Sequence, residues 1–73
     1  MSPRQKRLTS SEVIRILSAH GFEKVSQKGS HQKWKHFESG AQVIVPFHKG
    51  KQLPIGTLKS IIEGSGLPPE VWS

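Results

Sequence analysis

Three short extended runs lie between two helix-forming stretches, and this order limits the chain to a small α+β domain. The middle segment, residues 22–48, is broken by turn residues at Gly29-Ser30 and at residues 38–41. Glycine supplies the positive φ that a type II′ turn requires, so Gly29-Ser30 predicts a β-hairpin. The pattern therefore predicts three antiparallel strands, over residues 22–28, 31–37 and 42–46.

The first helical stretch has clear signals at both ends. Thr9-Ser10-Ser11-Glu12 fits a capping box, in which two side chains and two backbone N–H groups bond reciprocally. Gly21 offers a left-handed C-terminal cap, so we predict a helix over residues 10–20. Its apolar stripe consists of Val13, Ile14, Ile16 and Leu17.

The second helical stretch follows a loop rich in lysine and glycine. Pro54 can start this helix, and Gly64 and Gly66 are predicted to end it. The predicted apolar stripe consists of Ile55, Leu58, Ile61 and Ile62. A terminal turn then brings Trp72 against the core. Two helices on one face of a three-stranded antiparallel sheet is the two-layer arrangement that this α-β-β-β-α order favours.

The turns also predict how the strands pair. A two-residue turn at Gly29-Ser30 places Lys28 opposite His31 and Val25 opposite Trp34. A four-residue loop over residues 38–41 pairs the second and third strands.

In this second pairing, Trp34 lies opposite Val45 and His31 lies opposite His48. The two registers together predict one apolar face, made of Val25, Trp34, Val43 and Val45. The opposite, basic face carries Lys24, Ser26, Lys28, His31, Lys33, Lys35 and His48. Such a partition is required in a sheet that has one covered face and one face open to solvent.

The excess of cationic side chains predicts an anionic partner. Eleven lysines and arginines against five glutamates give a formal net charge of +6. Nucleic acid, a membrane surface or an acidic protein would satisfy that charge.

No apolar run approaches the roughly 20 residues that a spanning helix needs, so we expect a cytoplasmic protein that does not act at a membrane. The chain has no cysteine, which excludes disulfides and thiolate metal sites. We expect a flexible basic arm over residues 1–7 and one domain over residues 8–73.

Among the four histidines, His31 is the leading functional candidate. It directly follows the Gly29-Ser30 turn and shares the predicted basic face with Lys28, Lys33 and Lys35. An imidazole can take the proton of a ribose 2′-hydroxyl or give one to a departing 5′-oxygen, while lysines stabilise charge on the phosphate. DNA lacks the 2′-hydroxyl, so such a site would select RNA by its chemistry.

Other interpretations remain open at this point. His20 suits a helix end, His36 is predicted to be structural, and His48 follows a strand as a loop residue. The lysines are compatible with a merely solvated face, with a non-catalytic RNA-binding module or with a protein-interaction module. A metal held by His31 and His48 is a weaker alternative, because two imidazoles are fewer ligands than zinc sites use.

Four motifs in the order found here are typical of one family: Gly21-Phe22, Gly29-Ser30-His31, Val45-Pro46-Phe47-His48 and Gly56-Thr57-Leu58-Lys59-Ser60-Ile61. From about residue 8 to residue 72 the chain resembles the HicA (YcfA-like) toxins of bacterial and archaeal HicAB toxin–antitoxin systems. The resemblance implies a double-stranded-RNA-binding-domain-like fold. It also implies a ribosome-independent mRNA endoribonuclease that blocks translation until an antitoxin covers its active site.

The resemblance also assigns residues and partners. The catalytic histidine of the family falls on His31, and His48 falls on the histidine of a strand-end Pro-x-His pattern. His48 is also a predicted RNA contact. Charge and alternation predict three more, Lys28, Lys33 and Lys35. Gly29 and Ser30 complete the set, because glycine lets the backbone approach a phosphate closely and the Ser30 hydroxyl and the turn amides can donate to it. The expected partners are mRNA and an acidic HicB-like antitoxin over the His31 face, with no cofactor and no DNA binding by the toxin alone.

Overall fold

The computed structural model describes residues 6–73, and it confirms the α+β class and the predicted order of elements. The elements are α1 (Ser10–Ala19), β1 (Phe22–Lys28), β2 (His31–His36), β3 (Gln42–Pro46), α2 (Ile55–Ser65) and a terminal 3₁₀ helix (Pro69–Trp72). The strands form one antiparallel sheet in the order β1-β2-β3. Of the predicted basic arm, residues 1–5 lie outside the described residues, and Lys6 and Arg7 are exposed. Within residues 6–73, no helix is long and apolar enough to cross a membrane.

The capping box forms as predicted at the start of α1. The Glu12 N–H donates to the Thr9 hydroxyl at 3.1 Å, and the Thr9 N–H donates to the Glu12 carboxylate at 2.9 Å. The hydrogen bond from the Thr9 backbone is the main reason that the pKa of Glu12 lies below its ordinary value. Leu8 and Val13, on either side of the cap, are both buried.

The core takes apolar side chains from both helices and from the same face of the sheet, so both helices cover one face. Trp34, Val43 and Val45 are buried there, as predicted for the apolar face. Trp72 is fully buried, which confirms that the terminal turn closes the core. The remaining buried apolar residues are Leu8, Val13, Leu17, Phe22, Leu53, Leu58 and Ile61.

The second helix differs from its predicted pattern at both ends. Ile55 is 41% exposed, so the buried stripe begins at Leu58. Gly64 lies inside the helix, and Gly66, at φ +69°, is the residue that caps it. A Cβ at Gly64 would lie 3.2 Å from Val43 Cγ1, so this glycine allows α2 to approach β3 closely.

The β1–β2 hairpin contains a β-bulge that the sequence did not predict. Next to the turn the pairing is as expected, with Lys28 opposite His31. Val25 is then an extra residue, so that Lys24 lies opposite Trp34. The predicted pairing of Val25 with Trp34 is wrong, and Val25 is 42% exposed.

Burial of Phe22 explains the bulge. Without it, Phe22 would pair with Phe37 on the outer face, whereas with it Phe22 lies opposite His36 and is only 3% exposed. Burying a phenylalanine stabilises the fold by roughly 1.5–3 kcal/mol, which outweighs the partial exposure of Val25. The same one-residue shift moves Lys24 to the covered side of the sheet, so its predicted place on the basic face is also wrong.

The β2–β3 register is shifted by two residues from the prediction. Trp34 lies opposite Val43, and His31 lies opposite Pro46. A shift of two preserves the face of every side chain, which is why the predicted apolar face survives the error. It does not preserve the neighbours, and the predicted pairing of His31 with His48 is wrong.

The position of the second loop causes this shift. The four-residue loop spans residues 37–40, because the His36 N–H already pairs with the Ala41 carbonyl at 2.9 Å. The His36 ring accepts a hydrogen bond from the Ser39 N–H at 3.1 Å and so closes the turn early. Gly40 ends the loop at φ +81°, a conformation that favours glycine.

Candidate nucleic-acid interface

The turn between β1 and β2 holds His31 at the start of its strand. Gly29 adopts φ +59°, and its carbonyl accepts a hydrogen bond from Gln27 Nε2 at 3.0 Å. The Ser30 carbonyl accepts the Phe47 N–H at 2.7 Å. The backbone just before His31 is therefore attached both to β1 and to the residue that follows β3.

The outer face of the sheet forms a shallow concavity around His31. It encloses about 270 Å³ and is lined by Ser26, Lys28, His31, Lys33 and Ile44. Lys28 lies directly opposite His31, and Ser26 lies directly opposite Lys33, so the four polar residues form two cross-strand pairs. All five side chains are exposed. With two ammonium groups and no carboxylate in its lining, the concavity attracts anions. We call this surface the His31 concavity.

Lys35 extends the basic row along β2. It follows Lys33 by two residues and so projects from the same face of the strand. Its Nζ lies 5.2 Å from the centroid of the Phe37 ring, within the range of a cation–π interaction. Phe37 is 60% exposed, so an ammonium group and an open aromatic ring stand side by side.

The other side of β2 supports His31 from within the domain. Trp34 Nε1–H donates to Gln32 Oε1 at 3.1 Å, and both residues are buried on the covered face. This pairing satisfies two polar groups next to the core, where an unpaired one would cost roughly 1–3 kcal/mol. The strand that presents His31 is thus well anchored.

His48 lies in a separate hollow and does not share the concavity with His31. The lining of this hollow includes Ser10, Pro46, His48, Leu53 and Thr57, whereas His31 belongs to the concavity described above. The structure therefore brings Lys28, His31 and Lys33 together in the concavity, and Gly29 and Ser30 form the turn beside it. It places Lys35 further along the same face and His48 around the end of β3.

Ser10 organises the segment that carries His48, and sequence reasoning missed it. Its side chain is 1% exposed, and its hydroxyl donates to the Pro46 carbonyl at 2.8 Å. The same hydroxyl accepts the His48 N–H at 3.3 Å. A serine directly after an N-cap is usually solvated, so the local pattern contained no sign of this long-range contact.

The two remaining histidines have the structural roles expected of them. His20 Nδ1 donates to the Ile16 carbonyl at 2.9 Å at the end of α1. His36 packs edge-on against Phe22, with ring centroids 5.2 Å apart. In the part of the chain that the structure describes, no three ligating side chains are grouped closely enough to hold a metal ion.

The fold and this surface define a small, basic α+β domain whose sheet is covered by helices on one face and open on the other. The model of the family described as HicA toxin of bacterial toxin-antitoxin matches residues 10–67 of the 73-residue chain. The chain therefore belongs to the HicA toxin family, as the ordered motifs predicted. It is a toxin of a toxin–antitoxin system and pairs with an antitoxin. A comparison with curated proteins gives no match.

Proposed function

We propose that this HicA-family toxin is an mRNA endoribonuclease in which His31 is the general acid or base. The observation that supports the proposal is the position of His31, which is exposed and flanked by Lys28 and Lys33 in one concavity. An imidazole between two ammonium groups, on the central strand of the sheet, suits a reaction at a phosphodiester. Cutting messages would block translation, which is the toxic effect that we propose.

The proposed reaction uses the nucleophile of the substrate itself. The 2′-hydroxyl oxygen attacks the adjacent phosphorus and loses its proton, and the bond from phosphorus to the 5′-oxygen breaks. The products are a 2′,3′-cyclic phosphate and a 5′-hydroxyl, so no water is consumed. His31 takes the first proton or supplies the second, and the lysines stabilise the negative charge on the phosphate oxygens. The step needs no resident metal or cofactor.

The β1–β2 turn would hold the phosphate next to His31. A Cβ added at Gly29 would meet no atom within 4 Å, so the space above this residue is open to a ligand. The Ser30 hydroxyl and the backbone N–H groups of the turn are the proposed donors. Lys35 would contact the RNA chain beyond the concavity. His48, just after the end of β3, remains a proposed RNA contact.

The same surface is the proposed docking site of the antitoxin. An acidic, HicB-like partner would be attracted by Lys28, Lys33 and Lys35 and would cover His31 by occupying the concavity. Antitoxin and RNA would then compete for one set of charges. The measurable consequence is that purified antitoxin stops both RNA binding and RNA cleavage by the toxin.

An assay with end-labelled RNA and purified protein tests the proposed activity. We expect the wild-type protein to cleave, and His31→Ala to lose roughly 10²–10⁴-fold in rate, as general acid–base catalysis predicts. His20→Ala is the matched control, because it removes an exposed histidine at the end of α1. Cleavage should persist in EDTA and should stop when the 2′-hydroxyl at the cut is replaced by hydrogen.

Two results would contradict the proposal. If His31→Ala cleaves as fast as wild type while remaining folded by circular dichroism, His31 is not the acid or base. If the wild-type protein binds RNA in a salt-dependent manner but cuts none, the domain is a non-catalytic RNA-binding module.

A further inference from the structure

The hollow that contains His48 has the composition of a site for a small organic group. It encloses about 330 Å³ between the end of β3 and the start of α2. Its apolar lining comes from Pro46, Leu53 and Pro54, and its exposed polar lining comes from His48, Lys51 and Gln52. Apolar walls with a few polar groups at the edge are typical of ligand pockets, whereas a simple anion would leave the walls unused. We call this hollow the His48 pocket.

One wall of the pocket is held by the buried Ser10. Its hydroxyl bonds both the Pro46 carbonyl and the His48 N–H, so the backbone at the end of β3 is attached to α1. Ser10 itself is buried. His48 is therefore presented from a backbone segment that is already in place.

The opposite wall is held by a short pairing of two loop segments. The Leu53 N–H donates to the Leu8 carbonyl at 2.8 Å, and Gln52 forms an isolated antiparallel bridge with Thr9. Leu53 itself is 2% exposed. Because hydrogen bonds to backbone groups fix both walls, little of the pocket would have to become ordered when a ligand binds.

The pocket lies next to the His31 concavity. Pro46, which lines the pocket, is the direct partner of His31 across the β2–β3 ladder, and Cα atoms so paired are roughly 5 Å apart. The Phe47 N–H bonds the carbonyl of Ser30, the residue before His31. The end of β3 lies between the concavity and the pocket, so an RNA chain with a phosphate at His31 would pass around that strand end to place an adjoining group in the pocket.

We infer that the His48 pocket binds an unpaired nucleobase of the RNA, beside the phosphate that sits at His31. The inference rests on the proposed function, and it makes His48 a binding residue. The base lies against Pro46 and Pro54, and the His48 imidazole stacks on it, as aromatic side chains do with unpaired bases. Gln52 offers an amide that donates to and accepts from the edge of the base. Lys51 offers a cation to the backbone of the same nucleotide.

Two short oligoribonucleotides of equal length test the inference. Both carry 2′-O-methyl groups, which block the nucleophile so that neither is cut, and one of them lacks every base. We expect wild type to bind the base-bearing chain about tenfold or more tightly than the abasic chain in fluorescence anisotropy. His48→Ala and Gln52→Ala should each lose most of that preference. His20→Ala, at the opposite end of α1, should keep it.

The inference is overturned if wild type binds both chains equally, or if both pocket variants keep the wild-type preference. Gln52→Ala guards against a folding defect in His48→Ala, because the bridge of Gln52 to Thr9 uses the backbone and survives the change. Cleavage of unmodified RNA, measured in parallel, separates the two proposals. If wild type prefers the base-bearing chain through His48 but cleaves no RNA, the endoribonuclease proposal is refuted and the base-binding role of the His48 pocket stands. Cleavage with equal affinity for the two chains refutes the pocket alone.

Discussion

Pro46 lies directly opposite His31 at the last pair of the β2–β3 ladder. Its carbonyl accepts a hydrogen bond from the buried Ser10, so the strand end beside the candidate catalytic histidine is attached to α1. A proline is tolerated there because β3 is an edge strand, which leaves one side of its backbone without a strand partner. The relationship connects the His31 concavity to the His48 pocket, and it makes Ser10 a residue whose loss is measurable.

Ser10→Ala should destabilise the domain by about 1–3 kcal/mol. The substitution removes the donor to the Pro46 carbonyl and the acceptor for the His48 N–H in a site that is 1% exposed. Ser11→Ala is the matched control, because its side chain is exposed one residue later in the same helix. Urea denaturation of both variants measures the difference, and equal stabilities would show that the buried contacts contribute nothing.

Gly56→Ala should stabilise the domain by roughly 0.4–1 kcal/mol, and Gly64→Ala should stabilise it by less. Both glycines are in α2, where alanine has the higher helix propensity. A Cβ at Gly56 would meet no atom within 4 Å, whereas one at Gly64 would lie 3.2 Å from Val43 Cγ1. Thermal unfolding compares the two variants. A gain at Gly64 as large as the gain at Gly56 would mean that this glycine is not needed for close packing of α2 on β3.

Lys33→Ala should weaken RNA binding and reduce its dependence on salt. Each phosphate contact with single-stranded RNA contributes about 0.7 to the slope of log K against log salt, so losing Lys33 should lower the slope by about that amount. Lys59→Ala is the control, because Lys59 is exposed on α2, on the covered side of the sheet. Titrations at several salt concentrations give both slopes. A reduced slope for Lys59→Ala with an unchanged slope for Lys33→Ala would move the RNA-binding surface away from the His31 concavity.

Glu12→Gln should flatten the acid side of the stability curve. The pKa of Glu12 is lowered in the folded protein, chiefly by the hydrogen bond from the Thr9 backbone. The Glu12 carboxylate therefore binds a proton more tightly in the unfolded chain than in the folded protein. The stabilisation is therefore present above the unfolded pKa of about 4.3 and is lost as the pH falls through the lower folded value. Glutamine keeps the capping bond and removes only the charge. Urea unfolding between neutral and acid pH measures the effect, and an identical decline in wild type and variant would contradict it.

Local signals were sufficient for the start of α1 and for the turn between β1 and β2. The capping box at Thr9 and the turn at Gly29 depend on hydrogen bonds and dihedral angles within a few residues, and both formed as predicted. The face of each core strand residue was also predictable, because side chains alternate with a period of two. That period is why Trp34, Val43 and Val45 were correctly assigned to the core even though their partners were not.

Long-range competition decided the remaining details. The bulge at Val25 forms because it lets Phe22 reach the core, and no pattern within β1 records that exchange. The second loop starts early because the His36 ring bonds the Ser39 N–H. The two-residue shift of the β2–β3 register kept the core side chains on their predicted face. It also moved His48 away from the position opposite His31.

The sequence by itself determined the order α-β-β-β-α, the family and a concentration of cationic side chains around His31, because these depend on residue types and their spacing. Only the tertiary structure decided which of those residues meet. It separated His48 from His31 and gave it a pocket of its own, because the contacts of Ser10 and Pro46 join segments 36 residues apart. Such contacts depend on how the helices and the sheet pack, which spacing along the chain does not encode.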